Sequence, residues 1–137
     1  MKGSSESGYP AAGAGAVSSL QAAVEGYLSA LSERELEKCL GFFADDATIE
    51  FQSGVFTGPQ AIEEWHRERF AAEFQILDVE RVTVDGNTVV VEAAITSSRL
   101  RAWKIGKLSG KATISFENGR IKEAKLAPRM YNPFEAW

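Results

Sequence analysis

One cysteine and one histidine occur in 137 residues, and these two shortages narrow the chemistry before any pattern is read. A single thiol, Cys39, cannot close an intramolecular disulfide or build a thiolate metal cluster. A lone imidazole, His66, leaves no three-ligand set with the spacing that catalytic zinc uses, so neither a metal nor another cofactor is expected. Positive charge is not in excess. Fifteen Lys and Arg stand against nineteen Asp and Glu, for a net charge of -4, and interspersed acids and bases argue against nucleic acid or anionic lipid as partners. No run approaches the ~18 consecutive apolar residues of a membrane span. The first residues also lack the apolar centre of a signal peptide, so a reducing, cytoplasmic setting is expected.

With 45% hydrophobic residues, the chain is long enough to bury one core and too short for two. Residues 1–15 are low in complexity and are read as a disordered tail. Residues 16–137 are read as a single domain ending in a tail, 127–137, whose Tyr131, Phe134 and Trp137 are expected to pack on the domain or on a second copy. From Val17, apolar residues recur at three and four through Leu31, the pattern of an amphipathic helix ending near Ser32. Ser32 with Glu35 reads as a capping box for a second helix through Phe43. There Cys39, beside Leu36, Leu40 and Phe43, reads as a small buried hydrophobe rather than a nucleophile.

Strands are predicted at Ala47–Phe51 and Val55–Thr57. A helix is predicted from Pro59, marked by Ile62, Trp65, His66, Arg69, Phe70 and Phe74. The period then changes to two. Ile76–Val84 and Thr88–Ser97 flank an Asp85-Gly86-Asn87 turn, and Leu108–Phe116 and Arg120–Leu126 flank Glu117-Asn118-Gly119. Three N-terminal helices packed on a strongly curved, mainly antiparallel mixed sheet make an α+β fold.

The run Phe43-Ala-Asp-Asp-Ala-Thr-Ile-Glu-Phe51, with Gly54 to Phe56 and Gly58-Pro-Gln-Ala-Ile-Glu-Glu-Trp-His66, resembles the nuclear transport factor two-like superfamily. Its members include ketosteroid isomerases, SnoaL-like polyketide cyclases, scytalone dehydratases and limonene epoxide hydrolases. The resemblance extends over roughly Val17 to Leu126. It implies a cone closed around an apolar pocket for a small-molecule ligand, and a homodimer formed through the sheet. It does not name a reaction, because one such cone hosts many functions.

Set against ketosteroid isomerases, Tyr27 occupies the position of the oxyanion tyrosine. The general base is replaced by Phe51 and the second, protonated acid by Ala112, so that mechanism is excluded. Set against limonene epoxide hydrolases, the arginine and two aspartates fall near Ala93, Ile95 and Leu126, which excludes that chemistry too. His66 falls where one branch of the isomerases has a second tyrosine, bonded to the first. Tyr27 and His66 are therefore the candidate catalytic pair, an imidazole with an unperturbed pKa of ~6.5 beside a phenol. The competing reading is a histidine that merely satisfies a buried hydroxyl.

Phe51, Trp65, Arg69, Ala93, Ile95, Ala112, Ile114 and Leu126 are the candidate substrate-binding residues. For Trp65, packing on the helix–sheet seam competes with a place in the pocket. Strand alternation turns Glu50 and Glu92 away from the cone, and Asp45 and Asp46 read as turn residues. Arg99 and Arg101, in a basic hairpin between Ser97 and Lys107, are read either as leaning over the cone to hold an anion or as solvated edge-strand charges. Two functions follow: a cofactor-independent isomerase, cyclase or dehydratase, or a non-catalytic ligand-binding or dimerisation module.

Overall fold

The computed structural model describes residues 11–52, 54–104 and 106–128. Residues 1–10 of the expected N-terminal tail and 129–137 of the C-terminal tail lie outside them. In chain order the elements are α1 (Ala11–Ser32), α2 (Leu36–Gly41), β1 (Phe43–Phe51), β2 (Gly54–Thr57), α3 (Pro59–Ala71), β3 (Gln75–Asp85), β4 (Thr88–Thr96), α4 (Ser98–Ala102), β5 (Leu108–Glu117) and β6 (Arg120–Pro128). The strands form one six-stranded sheet in the order β2-β1-β6-β5-β4-β3. All neighbours are antiparallel except β1 and β6, which run parallel.

Helix α1 starts at Ala11, inside the stretch read as a tail. Alanine has the highest intrinsic helix propensity, and four alanines among residues 11–16 extend the helix beyond the amphipathic part. At its other end, Arg34 adopts a left-handed φ of 58°. Glu35 N–H donates to Ala30 C=O at 2.9 Å and Arg34 N–H to Leu31 C=O at 3.2 Å. That is the Schellman pattern, which draws Ser32 into the last turn of α1. The predicted capping box is therefore not formed. Glu35 is the N-cap of α2 and makes no side-chain cap bond.

Helix α3 closes in the same way. Glu73 has a φ of 56°, and Phe74 N–H donates to Arg69 C=O at 3.1 Å. Phe74 keeps step with the helical spacing because it terminates the cap, not because the helix reaches it. Gly58, at a φ of 91°, supplies the turn into Pro59, a conformation that costs a residue without Cβ little. Between β5 and β6, Asn118 and Gly119 both have positive φ, as a tight two-residue hairpin requires.

The sheet and helices enclose one core. Phe43, Ala47 and Ile49 of β1, Ile121 and Ala124 of β6, Ile114 and Phe116 of β5, and Val89, Val91 and Ala93 of β4 are all buried. Against them lie Val24, Tyr27 and Leu31 of α1 and Ile62 and Trp65 of α3, with the buried His66 ring against Phe43. Pairing sets these residues in rows across the strands. Ile49 faces Ala124, which faces Ile114, which faces Val89; one step along, Phe51, Leu126, Ala112 and Val91 form a second row. Register shifts in the β1–β6, β3–β4 and β5–β6 pairings mark bulges that bend a sheet around its helices.

Asp45 and Asp46 lie within β1 rather than in a turn, because Phe42 already C-caps α2. Asp46 pairs with Lys122 on the neighbouring strand. Among the described residues, no helix is long and apolar enough to cross a membrane.

Candidate functional site

Tyr27 from α1 and His66 from α3 meet in the core, the phenol oxygen lying 2.8 Å from Nε2. The ring has no solvent exposure and the tyrosine 6%. The second ring nitrogen, Nδ1, lies 2.8 Å from the Ile62 carbonyl. A carbonyl can only accept, so Nδ1 carries the proton, and in the neutral ring Nε2 is then an acceptor. The Tyr27 O–H therefore donates to His66. Burial lowers the His66 pKa from 6.5, partly opposed by the Ile62 bond. Burial also raises the Tyr27 pKa well above 10.0, with Cys39 adding to the effect. Both shifts favour the neutral pair, because neither ion is solvated there.

Aromatic rings enclose this pair. Phe43 lies edge-on to both members, at centroid distances of 5.4 Å from Tyr27 and 5.5 Å from His66. Phe42 flanks the tyrosine, and Trp65 and Phe70 flank the imidazole. Toward one end of the cone, Phe51 packs edge-on against Trp65 at 5.7 Å. The Arg69 guanidinium lies over both rings, 4.6 Å from the centroid of Phe51 and 5.8 Å from that of Trp65. Two grooves open elsewhere. One of about 610 Å³ runs between α1 and α2, and one of about 350 Å³ lies between α1 and the start of β3. None of the candidate site residues lines either groove.

A family model described as a SnoaL-like domain matches residues 24–124. The chain belongs to that family. The match takes in Tyr27, His66 and every candidate pocket residue except Leu126. Solved structures show the same fold in a polyketide cyclase-like protein from Sinorhizobium meliloti (23% identity, 77% of this chain and 93% of that one, TM-score 0.68). It recurs in a ketosteroid isomerase-like protein from Kribbella flavida (19% identity, 84% and 81%, TM-score 0.70). It recurs again in SalBIII, an epoxide hydrolase/cyclase-like enzyme in pyran ring formation in salinomycin (20% identity, 81% and 91%, TM-score 0.71). At these identities the likeness is one of fold. No match was found among curated proteins.

In this SnoaL-like domain, the residues expected to line a pocket fall into two groups. Phe51, Leu126 and Ala112 share one row of the sheet, with Trp65 and Arg69 packed against Phe51 from α3. Ile95 lies beyond them, closely packed against Gly110. Ile114 belongs to the deeper row and Ala93 lies opposite Gly110 on β5; both are buried. Trp65 is buried, 2% exposed, with its ring against Phe51.

Arg99 and Arg101 do not lie on a strand. Ser97 Oγ accepts from Leu100 N–H, and Ser98 donates to Ala72 C=O through both its N–H and its hydroxyl. This capping turns the chain into α4, which ends strand parity and corrects the strand placement in both readings, while both arginines are exposed, as the solvated reading had it. Arg101 instead pairs with Glu73 at 2.6 Å. Glu50 is exposed and Glu92 half-buried, on the parity opposite the core.

Cys39 is fully buried. Burial, with the Glu35 carboxylate nearby, pushes its thiol up to about 11, far from a nucleophilic thiolate. The Ile62 carbonyl went unread in the sequence, although its place four residues before His66 was the available sign. Among the described residues, no three His, Cys, Asp or Glu side chains converge to hold a metal ion.

Proposed function

We propose that this SnoaL-like domain binds a small, largely apolar molecule in its cone and acts on it as a cofactor-independent isomerase or cyclase through Tyr27 and His66. The observation that carries this reading is the buried 2.8 Å bond from the Tyr27 hydroxyl to His66 Nε2, with the tautomer set by Ile62. Its direction matters. A phenol that has already committed its proton to an imidazole offers a substrate its oxygen lone pairs, so the pair accepts protons rather than donating to an oxyanion.

A substrate C–H or O–H proton passes to the Tyr27 oxygen as the phenol proton passes to Nε2. The products are a substrate anion and an imidazolium, whose Nδ1–H stays on the Ile62 carbonyl. Return of the proton to another atom completes an isomerisation. Attack of the anion on an electrophilic carbon of the same molecule, followed by protonation, completes a cyclisation. The ring-lined surroundings disfavour both ions, so the substrate must bring the compensating interactions. As in the resemblance, two copies associate through the outer face of the sheet, which analytical ultracentrifugation tests.

Deuterium incorporation into the α-position of small ketones in D2O, followed by NMR, tests proton abstraction directly. The domain should accelerate exchange, and Tyr27→Phe and His66→Gln should abolish the acceleration. Rates in both variants equal to the parent would overturn the role of the pair. A second reading, a non-catalytic binding module, is favoured by the tight ring packing about the pair; ligand binding without any acceleration would support it.

A further inference from the structure

Two buried N–H donors on α3 lack an acceptor among the described residues. Among the described residues, neither Trp65 Nε1 nor Arg69 Nε has a hydrogen-bond partner, although buried donors are nearly always satisfied. Both sit on one face of α3, one turn apart, and the guanidinium lies over the Trp65 and Phe51 rings. Such a position holds the charge against apolar surface while its donors remain free.

Arg69 forms no ion pair among the described residues, whereas Arg101, on neighbouring α4, is neutralised by Glu73. Burial pulls the Arg69 pKa down; the Glu68 carboxylate opposes this and the Arg99 guanidinium reinforces it. Glu68 and Arg99 are both exposed. Both act on Arg69 from the surface, the Glu68 carboxylate more strongly than the Arg99 guanidinium, and among the described residues neither Glu68 nor any other carboxylate forms an ion pair with it.

We infer that Trp65 and Arg69 form a carboxylate-recognition site at the Phe51 end of the cone, so that the ligand is a small aromatic or branched aliphatic carboxylic acid. The guanidinium and the indole N–H take the carboxylate oxygens, and Phe51, Leu126 and Ala112 take the apolar body. Arg69 is half-exposed and is the wall that can swing aside to admit the acid. This inference rests on the reading that the cone binds a small molecule, and it names that molecule's charged group.

Phenylacetate and its neutral isostere phenylacetamide serve as probes, measured by calorimetry and by the NMR signal of the Trp65 indole N–H, assigned from its loss in Trp65→Phe. Phenylacetate should bind and move the indole proton downfield, and phenylacetamide should bind more weakly. A charge-assisted bond predicts that Arg69→Gln loses roughly tenfold or more in phenylacetate affinity. Arg69→Lys should retain part of it, and Trp65→Phe should lose a few-fold. Circular dichroism confirms that each variant is folded.

If acid and amide bind equally in the cone and Arg69→Gln changes neither, carboxylate recognition is overturned and the small-molecule cone stands. If neither probe moves any cone resonance, both are overturned. Binding of phenylacetate that shifts only surface signals also overturns the assignment.

Discussion

His66 gives its Nδ1 proton to the carbonyl of Ile62, one helical turn earlier, and so can only receive the proton of Tyr27. A backbone atom of α3 thus sets the direction of a bond between two helices. Removing one member leaves the other stranded in a ring-lined interior. Tyr27→Phe should cost about 1–3 kcal/mol, the penalty for an unpaired buried polar group. Tyr27→Phe with His66→Leu should cost clearly less than the two single changes summed, since apolar replacement of both partners removes the penalty. Urea unfolding of the four proteins measures the coupling, and strict additivity would show that the bond contributes nothing.

The same pair shapes the response to pH. As pH falls below 6.5, the unfolded chain takes up a proton that the buried imidazole resists, so stability is lost until the folded pKa is passed. As pH rises above 10.0, the unfolded phenol ionises while the buried one keeps its proton, and stability is lost again. The contribution of the pair is therefore complete between these limits. His66→Gln should flatten the acid limb of a thermal-melting profile between about pH 7 and 5. An acid limb as steep as the parent's would assign that loss to other groups.

Arg34 and Glu73 both occupy the left-handed position that closes a helix. Glycine adopts that conformation without the Cβ penalty, so Arg34→Gly should raise stability by about 0.5–1 kcal/mol. Glu73→Gly should gain less because it also removes the contact with Arg101, an exposed pair of the kind that contributes little. A lower urea midpoint for Arg34→Gly would contradict the capping geometry.

Ile114 and Leu126 were grouped as pocket walls, yet they lie in different rows of the sheet. Ile114→Ala in the deep row should cost about 2–5 kcal/mol, as buried truncations do. Leu126→Ala, in the half-buried row with Phe51, should cost less and should alter ligand affinity more than stability. Equal destabilisation by the two would place Leu126 in the framework as well.

Much of this arrangement could be read from residue order alone. Period-two alternation located β3 to β6 within a residue or two, Asn118-Gly119 marked a hairpin, and Tyr27 and His66 were paired through the resemblance. Other features depend on bonds that side-chain spacing does not reveal. Ser32-x-x-Glu35 has the letters of a capping box, but the preceding helix uses Ser32 in its own closing turn. Ser97 and Ser98 convert an alternating stretch into a helix by bonding to Leu100 and to Ala72, the latter 26 residues away. The unmet donors of Trp65 and Arg69 are invisible to pattern, because lacking a partner is a property of the surroundings.

The strand order carries a consequence for synthesis. Among the described residues, β1 joins β3 to β5 only through β6, with which it runs parallel, so the first of these strands made waits for the last of them. Until Arg120–Pro128 emerges from the ribosome, the β1–β2 hairpin has no neighbour, and Phe43, Ile49 and Phe51 have no opposing row. Long-range pairing of this kind slows folding and exposes strand edges during it. A nascent chain arrested before Arg120 should therefore be held by chaperones, whereas release of the last strand should convert it to the native state in a single step.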